Sequence, residues 1–140
     1  LGIKNYKINF TEKGAIPLFH PLNKNNKKTV YIGSAGGMTR LSTGYTFLNI
    51  QEHSKYIVEN IDKIEKIKMY NIGKKYQFLD KIFLRVLKNN PDKMPKIFFE
   101  MFKASSSCVI KFLSNKSNIF EDINIIRRMP KLIFMRALFH

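Results

Sequence analysis

Gly33, Gly36 and Gly37 fall within five positions, directly after the run Thr29-Val30-Tyr31-Ile32. The β-branched and aromatic run has the composition of a buried strand. Ser42 or Thr43 then stands where a helix N-cap is expected, before Tyr45, Phe47 and Leu48. Strand, glycine-rich turn and helix start bring backbone close to whatever lies beside them. Unpaired N–H groups and the positive end of a helix dipole favour an anion or a cofactor oxygen there. Glycines also serve where a chain needs only positive φ or tight helix–strand packing. Spacing alone leaves both uses open.

Around this turn the sequence divides in two. Tyr6, Ile8 and Phe10 alternate with Lys7 and Asn9, the pattern of a strand with one buried face. Pro17 and Pro21 hold their neighbours extended, and residues 22–28 read as a polar surface loop. Residues 1–47 are therefore expected to hold strands and the turn, and residues 48–140 to be helical. A long helix is predicted over residues 42–69, a second over 76–89 and a third over 92–103. A short one should follow caps at Ser105–Ser107. Another, capped by Ser117, should stop at Pro130, and a last apolar one should span 132–139.

The chain has 140 residues, a net charge of +15 and a pI near 10.0. Such a charge raises nucleic acid or an anionic membrane as partners. Lys far outnumbers Arg, however, and the basic residues are spread out rather than gathered in an arm. No stretch approaches the roughly 20 apolar residues that span a bilayer. Cys108, the single cysteine, excludes an internal disulfide and reads as a buried thiol. No Cys pair, H-x-x-x-H or acidic cluster suggests a metal, and Ser42 lacks a nucleophile-elbow setting. His20, His53 and His140 read as surface or capping residues. Phe and Met crowd the helical region, either as core or as a lysine-edged apolar surface that lies on a bilayer.

The stretch Gly33-Ser34-Ala35-Gly36-Gly37-Met38-Thr39-Arg40-Leu41-Ser42-Thr43-Gly44-Tyr45-Thr46-Phe47 resembles the C-terminal flavin-side motif of the FAD-dependent lycopene cyclase family. Glu12-Lys13-Gly14-Ala15-Ile16-Pro17-Leu18 looks like the segment that precedes it there. Phe83-Leu84-Arg85-Val86-Leu87, Lys111-Phe112-Leu113-Ser114 and Met129-Pro130-Lys131 follow in the order of the family's helical tail. The resemblance implies an α/β fold, α+β as a fragment, forming the C-terminal part of a hydroxylase-like flavoprotein. It implies an isomerase of carotenoid biosynthesis that closes rings on an acyclic carotene with reduced FAD, NAD(P)H being the reductant. Lycopene and a membrane surface would be its partners, with no nucleic acid, and the enzyme would sit peripherally on the cytoplasmic side.

Carried over by position, Gly33, Ser34, Ala35, Gly36 and Gly37 match the turn that meets the flavin. Ser42, Thr43 and Gly44 match the helix start, and Tyr45 the aromatic after it. Ser34 stands where the wider flavoprotein class commonly has Asp, and Met38 where close relatives have an aromatic. Glu12 is the only acid in the first 51 positions, against seven Lys or Arg. It is the best local carboxylate for an acid or a cation-stabilising role, or else a turn carboxylate. The chain begins at Leu1 and holds no G-x-G-x-x-G unit. The resemblance thus implies a piece of a longer enzyme, inactive alone, whose principal proton donor lies elsewhere. A prenyl-chain reductase of the same flavoprotein class, and a basic helical module without cofactor, are the alternatives.

Overall fold

The computed structural model describes residues 5–15, 19–20 and 28–139. Six α-helices follow one another: α1 (Phe47–Glu59), α2 (Lys74–Asn89), α3 (Met94–Phe102), α4 (Ser106–Leu113), α5 (Ile119–Arg128) and α6 (Lys131–Phe139). The expected α/β or α+β class is not what forms. Among the described residues there is no strand. Residues 5–15 run irregularly, with Tyr6, Ile8 and Phe10 all exposed. Their alternation is real, but a strand needs a neighbour for its N–H and C=O groups and a surface for its apolar face. No described segment supplies either. Pro17 and residues 21–27, read above as extended chain and loop, lie outside the described residues.

The helices form because their apolar positions recur at helical spacing and their ends carry stop signals. In α2, Tyr76, Phe83 and Val86 turn inward with Ile82, and Asn90 followed by Pro91 ends the helix. Its N-terminus has no acid in the first turn and carries Lys74 and Lys75 against the dipole. Lys75 is held by the Asp122 carboxylate at 2.7 Å and the Ser117 carbonyl at 2.7 Å. Ser105 caps α4, accepting from the Cys108 amide. The α5 cap is Asn118 rather than Ser117. It forms a reciprocal capping box with Glu121, both bonds 2.9 Å. The Ser117 hydroxyl donates instead to Asp122 at 2.5 Å.

The core lies between α2, α3, α4 and the ends of α5 and α6, around Val86, Ile97, Met101 and Ile125. Phe83 meets Phe98 edge-on at 5.3 Å and Phe134 at 5.9 Å. Helix α2 packs chiefly on α6, and α5 on both α3 and α4.

The long helix expected over residues 42–69 is shorter and starts later. Gly44 sits at φ 71°, outside helical space. The Gly44 amide donates to the Arg40 carbonyl at 2.8 Å and the Arg40 amide to the Tyr45 carbonyl at 2.9 Å. That closed loop delays α1 to Phe47. After Asn60 the chain tightens into a 3₁₀ turn, Ile61–Lys66, kinked at Lys63, and leaves it extended at Ile67.

Candidate functional site

The glycine stretch folds as a tight turn over residues 33–38. Gly33 and Gly37 take φ of 64° and 73°, which suits glycine. The Gly36 amide is shared between the Ile32 carbonyl at 3.3 Å and the Gly33 carbonyl at 3.1 Å. Gly37 N–H donates to Ser34 and Met38 N–H to Gly33, both at 3.1 Å. Gly36 is needed for a different reason. A Cβ there would stand 2.4 Å from the Tyr31 carbonyl oxygen, so the turn closes only over a bare α-carbon. Met38 plugs the turn from beneath; it is fully buried, and its Sδ accepts from the Gly33 amide at 3.3 Å. At the tip, the Ser34 and Ala35 amides donate to no described residue. The Ser34 hydroxyl accepts from Thr39 Oγ1 at 3.2 Å, which leaves its own proton to donate.

Directly after the turn, Arg40 enters the protein interior. Its side chain and that of Asp80 on α2 are 0% and 1% exposed. Arg40 Nε lies 3.0 Å from each Asp80 oxygen, and Nη2 lies 2.5 Å from Oδ1. Nη1 donates to the Phe112 carbonyl on α4 at 2.6 Å. Asp80 also accepts from the Leu41 amide at 3.1 Å and the Ser42 hydroxyl at 2.7 Å. The guanidinium lies 4.9 Å from the Tyr76 ring centre and 5.1 Å from that of Phe112. A buried charge pair is tolerable only when its remaining donors and lone pairs are satisfied, and here the loop and two helices satisfy them. Arg40 is thus an interior anchor rather than a solvated surface cation.

A second polar cluster supports the other side of the turn. Asn49 on α1 donates to the Met38 carbonyl at 2.8 Å. Asn115 Nδ2 reaches Tyr70 Oη at 3.2 Å and Asn49 Oδ1 at 3.4 Å. Asn115 takes φ 64° just past α4, where Lys116 N–H returns to the Lys111 carbonyl at 2.8 Å. His53, one α1 turn beyond Asn49, is buried rather than on the surface, and meets the Tyr56 and Tyr70 rings. Burial lowers its pKa from the ordinary 6.5. His53 Nε2 and Asn115 Oδ1 have no hydrogen-bond partner among the described residues.

Residues 1–139 match the family model described as Lycopene cyclase protein. The chain belongs to the lycopene cyclase family. Neither a curated protein nor a solved structure was found to match it. Family membership ties the chain to carotenoid cyclisation and makes an enzyme of carotenoid biosynthesis its functional class.

Within this lycopene cyclase family chain the nine residues expected on the flavin side separate into two groups. Gly33, Ser34, Ala35, Gly36 and Gly37 form the turn, in which the Ser34 and Ala35 amides donate to no described residue. Ser42, Thr43, Gly44 and Tyr45 form the closed loop that follows, not a helix start. There Ser42 is bonded to Asp80, and Thr43 Oγ1 accepts from the Tyr45 amide at 3.3 Å. Tyr45 packs against the helical core. Glu12 lies exposed on residues 5–15, apart from both groups. Met38, at the position where an aromatic was expected, holds the turn from inside. Among the described residues no group of His, Cys, Asp or Glu is gathered to hold a metal ion.

Asp80, Asn49 and Asn115 were not singled out from the sequence, and His53 was read there as a surface or capping residue. Asp80 had a readable signal. It stands four after Tyr76 and three before Phe83, an acid inside the apolar stripe of α2. A buried acid of this kind calls for a cation, and Arg40 supplies it from the glycine stretch.

Proposed function

We propose that this chain supplies the flavin-facing turn of a lycopene cyclase-type isomerase working at a membrane surface, on its cytoplasmic side. The reaction forms cyclic end groups on lycopene by acid-initiated carbocation cyclisation. The observation that carries the reading, in a chain of this family, is the turn itself. Two amides and one hydroxyl proton at its tip have no partner among the described residues, while a buried ion pair anchors the chain directly after it. Donors held in place in advance bind oxygens without reorganisation. They fit the hydroxyl-rich chain and carbonyl edge of a flavin.

FAD, once reduced by NAD(P)H, would supply when bound an electron-rich face that stabilises positive charge with no net redox change. The chain's own part is binding and orientation. Ser34 and Ala35 N–H and Ser34 O–H hold the cofactor, with Gly33 and Gly37 letting the backbone come near. Ser42, Thr43 and Tyr45 fix the loop that follows. Glu12 is the local carboxylate for proton donation or cation stabilisation. It lies exposed on residues 5–15.

Purified full-length protein tests the reading by its flavin absorbance, before and after reconstitution with FAD. Wild type should carry the band, and Ser34→Ala should hold flavin more weakly while remaining folded. A wild-type protein that takes up no flavin contradicts the reading. Gly36 is the wrong position for such a test, because any side chain there meets the turn's own backbone.

A further inference from the structure

The outer face of α2 carries a feature that the turn does not use. Lys74, Lys81, Arg85 and Lys88 recur at offsets of seven, four and three, which places them on one helical face. They line a groove of about 630 Å³ whose floor includes Leu41 and Phe78. No carboxylate lines it. Lys74, Lys81 and Lys88 form no ion pair among the described residues, and Arg85 uses one nitrogen on the Ala137 carbonyl at 3.1 Å. Phe78 also lines a second opening, a cleft of about 390 Å³ between α2, α5 and α6. That cleft is almost wholly apolar; Ile82, Phe134, Met135 and Leu138 line it, with Lys131 among the few charged residues. Phe78, Met135 and Leu138 are 58%, 54% and 47% exposed.

A basic groove and a greasy cleft that share one phenylalanine are complementary to a molecule with an anionic head and a hydrocarbon tail. We propose that they form a binding site for an anionic phospholipid of a bilayer, its phosphate against Lys81 and Arg85 and its acyl chain in the cleft past Phe78. Charge complementarity selects this occupant, because neither a neutral lipid nor a purely apolar partner uses four aligned cations. Phospholipid held there seats α2 and α6 at the bilayer edge, with the lysines at headgroup level. This deepens the membrane-surface part of the proposed function and rests on it, but needs no flavin.

The test is sedimentation of full-length protein with vesicles of phosphatidylcholine alone or with added phosphatidylglycerol, at low and high salt. Binding should require the anionic lipid and weaken with salt. Lysines near an anionic surface contribute roughly a fivefold factor each. A triple variant, Lys74→Gln, Lys81→Gln and Lys88→Gln, should therefore bind on the order of a hundredfold more weakly. Helical content should be unchanged, because all three lysines are exposed. Leu138→Gln should weaken binding at both salt concentrations. Equal binding to neutral vesicles, or an unaffected triple variant, overturns the site. Flavin content measured on the same samples separates the outcomes. Anionic-vesicle binding without flavin leaves the lipid site standing and removes the cyclase reading; flavin without charge-dependent binding does the reverse.

Discussion

Arg40 and Asp80 stand 40 positions apart in sequence and meet at 2.5 Å in the interior, both essentially without solvent contact. The contact ties the end of the glycine turn to the middle of α2. Through Arg40 Nη1 it also reaches the end of α4 at Phe112. Three segments are thereby set in one register. The Ser34 and Ala35 amides then keep a fixed position relative to the helical core, as the proposed binding role requires.

Breaking this pair from one side should cost about 3–5 kcal/mol, because the surviving charge is left buried and unmatched. Arg40→Met and Asp80→Leu are the single changes to compare. The double variant should lose clearly less than the sum of the two, since no orphaned charge remains. Urea denaturation of the three variants measures this. Additive losses would mean that the two side chains do not act as a pair.

Gly36 and Gly44 should respond differently to alanine. At Gly44 nothing lies within 4 Å of the added carbon, and only φ 71° is unfavourable. Gly44→Ala should cost about 1–2 kcal/mol. At Gly36 the added carbon meets the Tyr31 carbonyl oxygen at 2.4 Å, and rigid backbone must move. Gly36→Ala should be the more destabilising, measured by thermal unfolding. Equal losses would mean that the turn is looser than described.

His53 should make stability fall in mild acid. Burial holds its folded pKa below 6.5, whereas the unfolded imidazole titrates near 6.5. Between those two values the unfolded chain binds the extra proton, so unfolding is favoured as pH falls. Above pH 6.5 both states are neutral and the effect is absent. Denaturant midpoints taken from pH 7.5 downward should decline below pH 6.5, and His53→Gln should flatten that decline. An unchanged slope in the variant would assign it to other groups.

How much of this was legible in the sequence follows from range. Helices α2 to α6 were readable because their signals are local. Apolar spacing, Pro91, Pro130 and the Ser105 cap act within a few residues. Cys108 was readable as a buried thiol for the same reason, and burial indeed raises its pKa. The strand over Tyr6–Phe10 was not, because alternation says what a strand buries but not whether a partner exists. The delayed start of α1 depended on Gly44 turning left-handed and Ser42 being drawn to Asp80. The second is a tertiary contact 38 residues away. The glycine turn was located correctly in the chain, yet its three glycines divide the work. Two provide positive φ, and Gly36 clears its own backbone. Polar residues that hold the turn, such as Asn49 and Asn115, carry no local signature that separates them from surface asparagine.

The most direct measurement is the pigment profile of lycopene-accumulating cells expressing the full-length protein, separated by chromatography. Conversion of lycopene to cyclic carotenes is the predicted result, lost in Asp80→Leu and reduced in Ser34→Ala. Unchanged lycopene in cells that contain the folded, flavin-bearing protein would contradict the account.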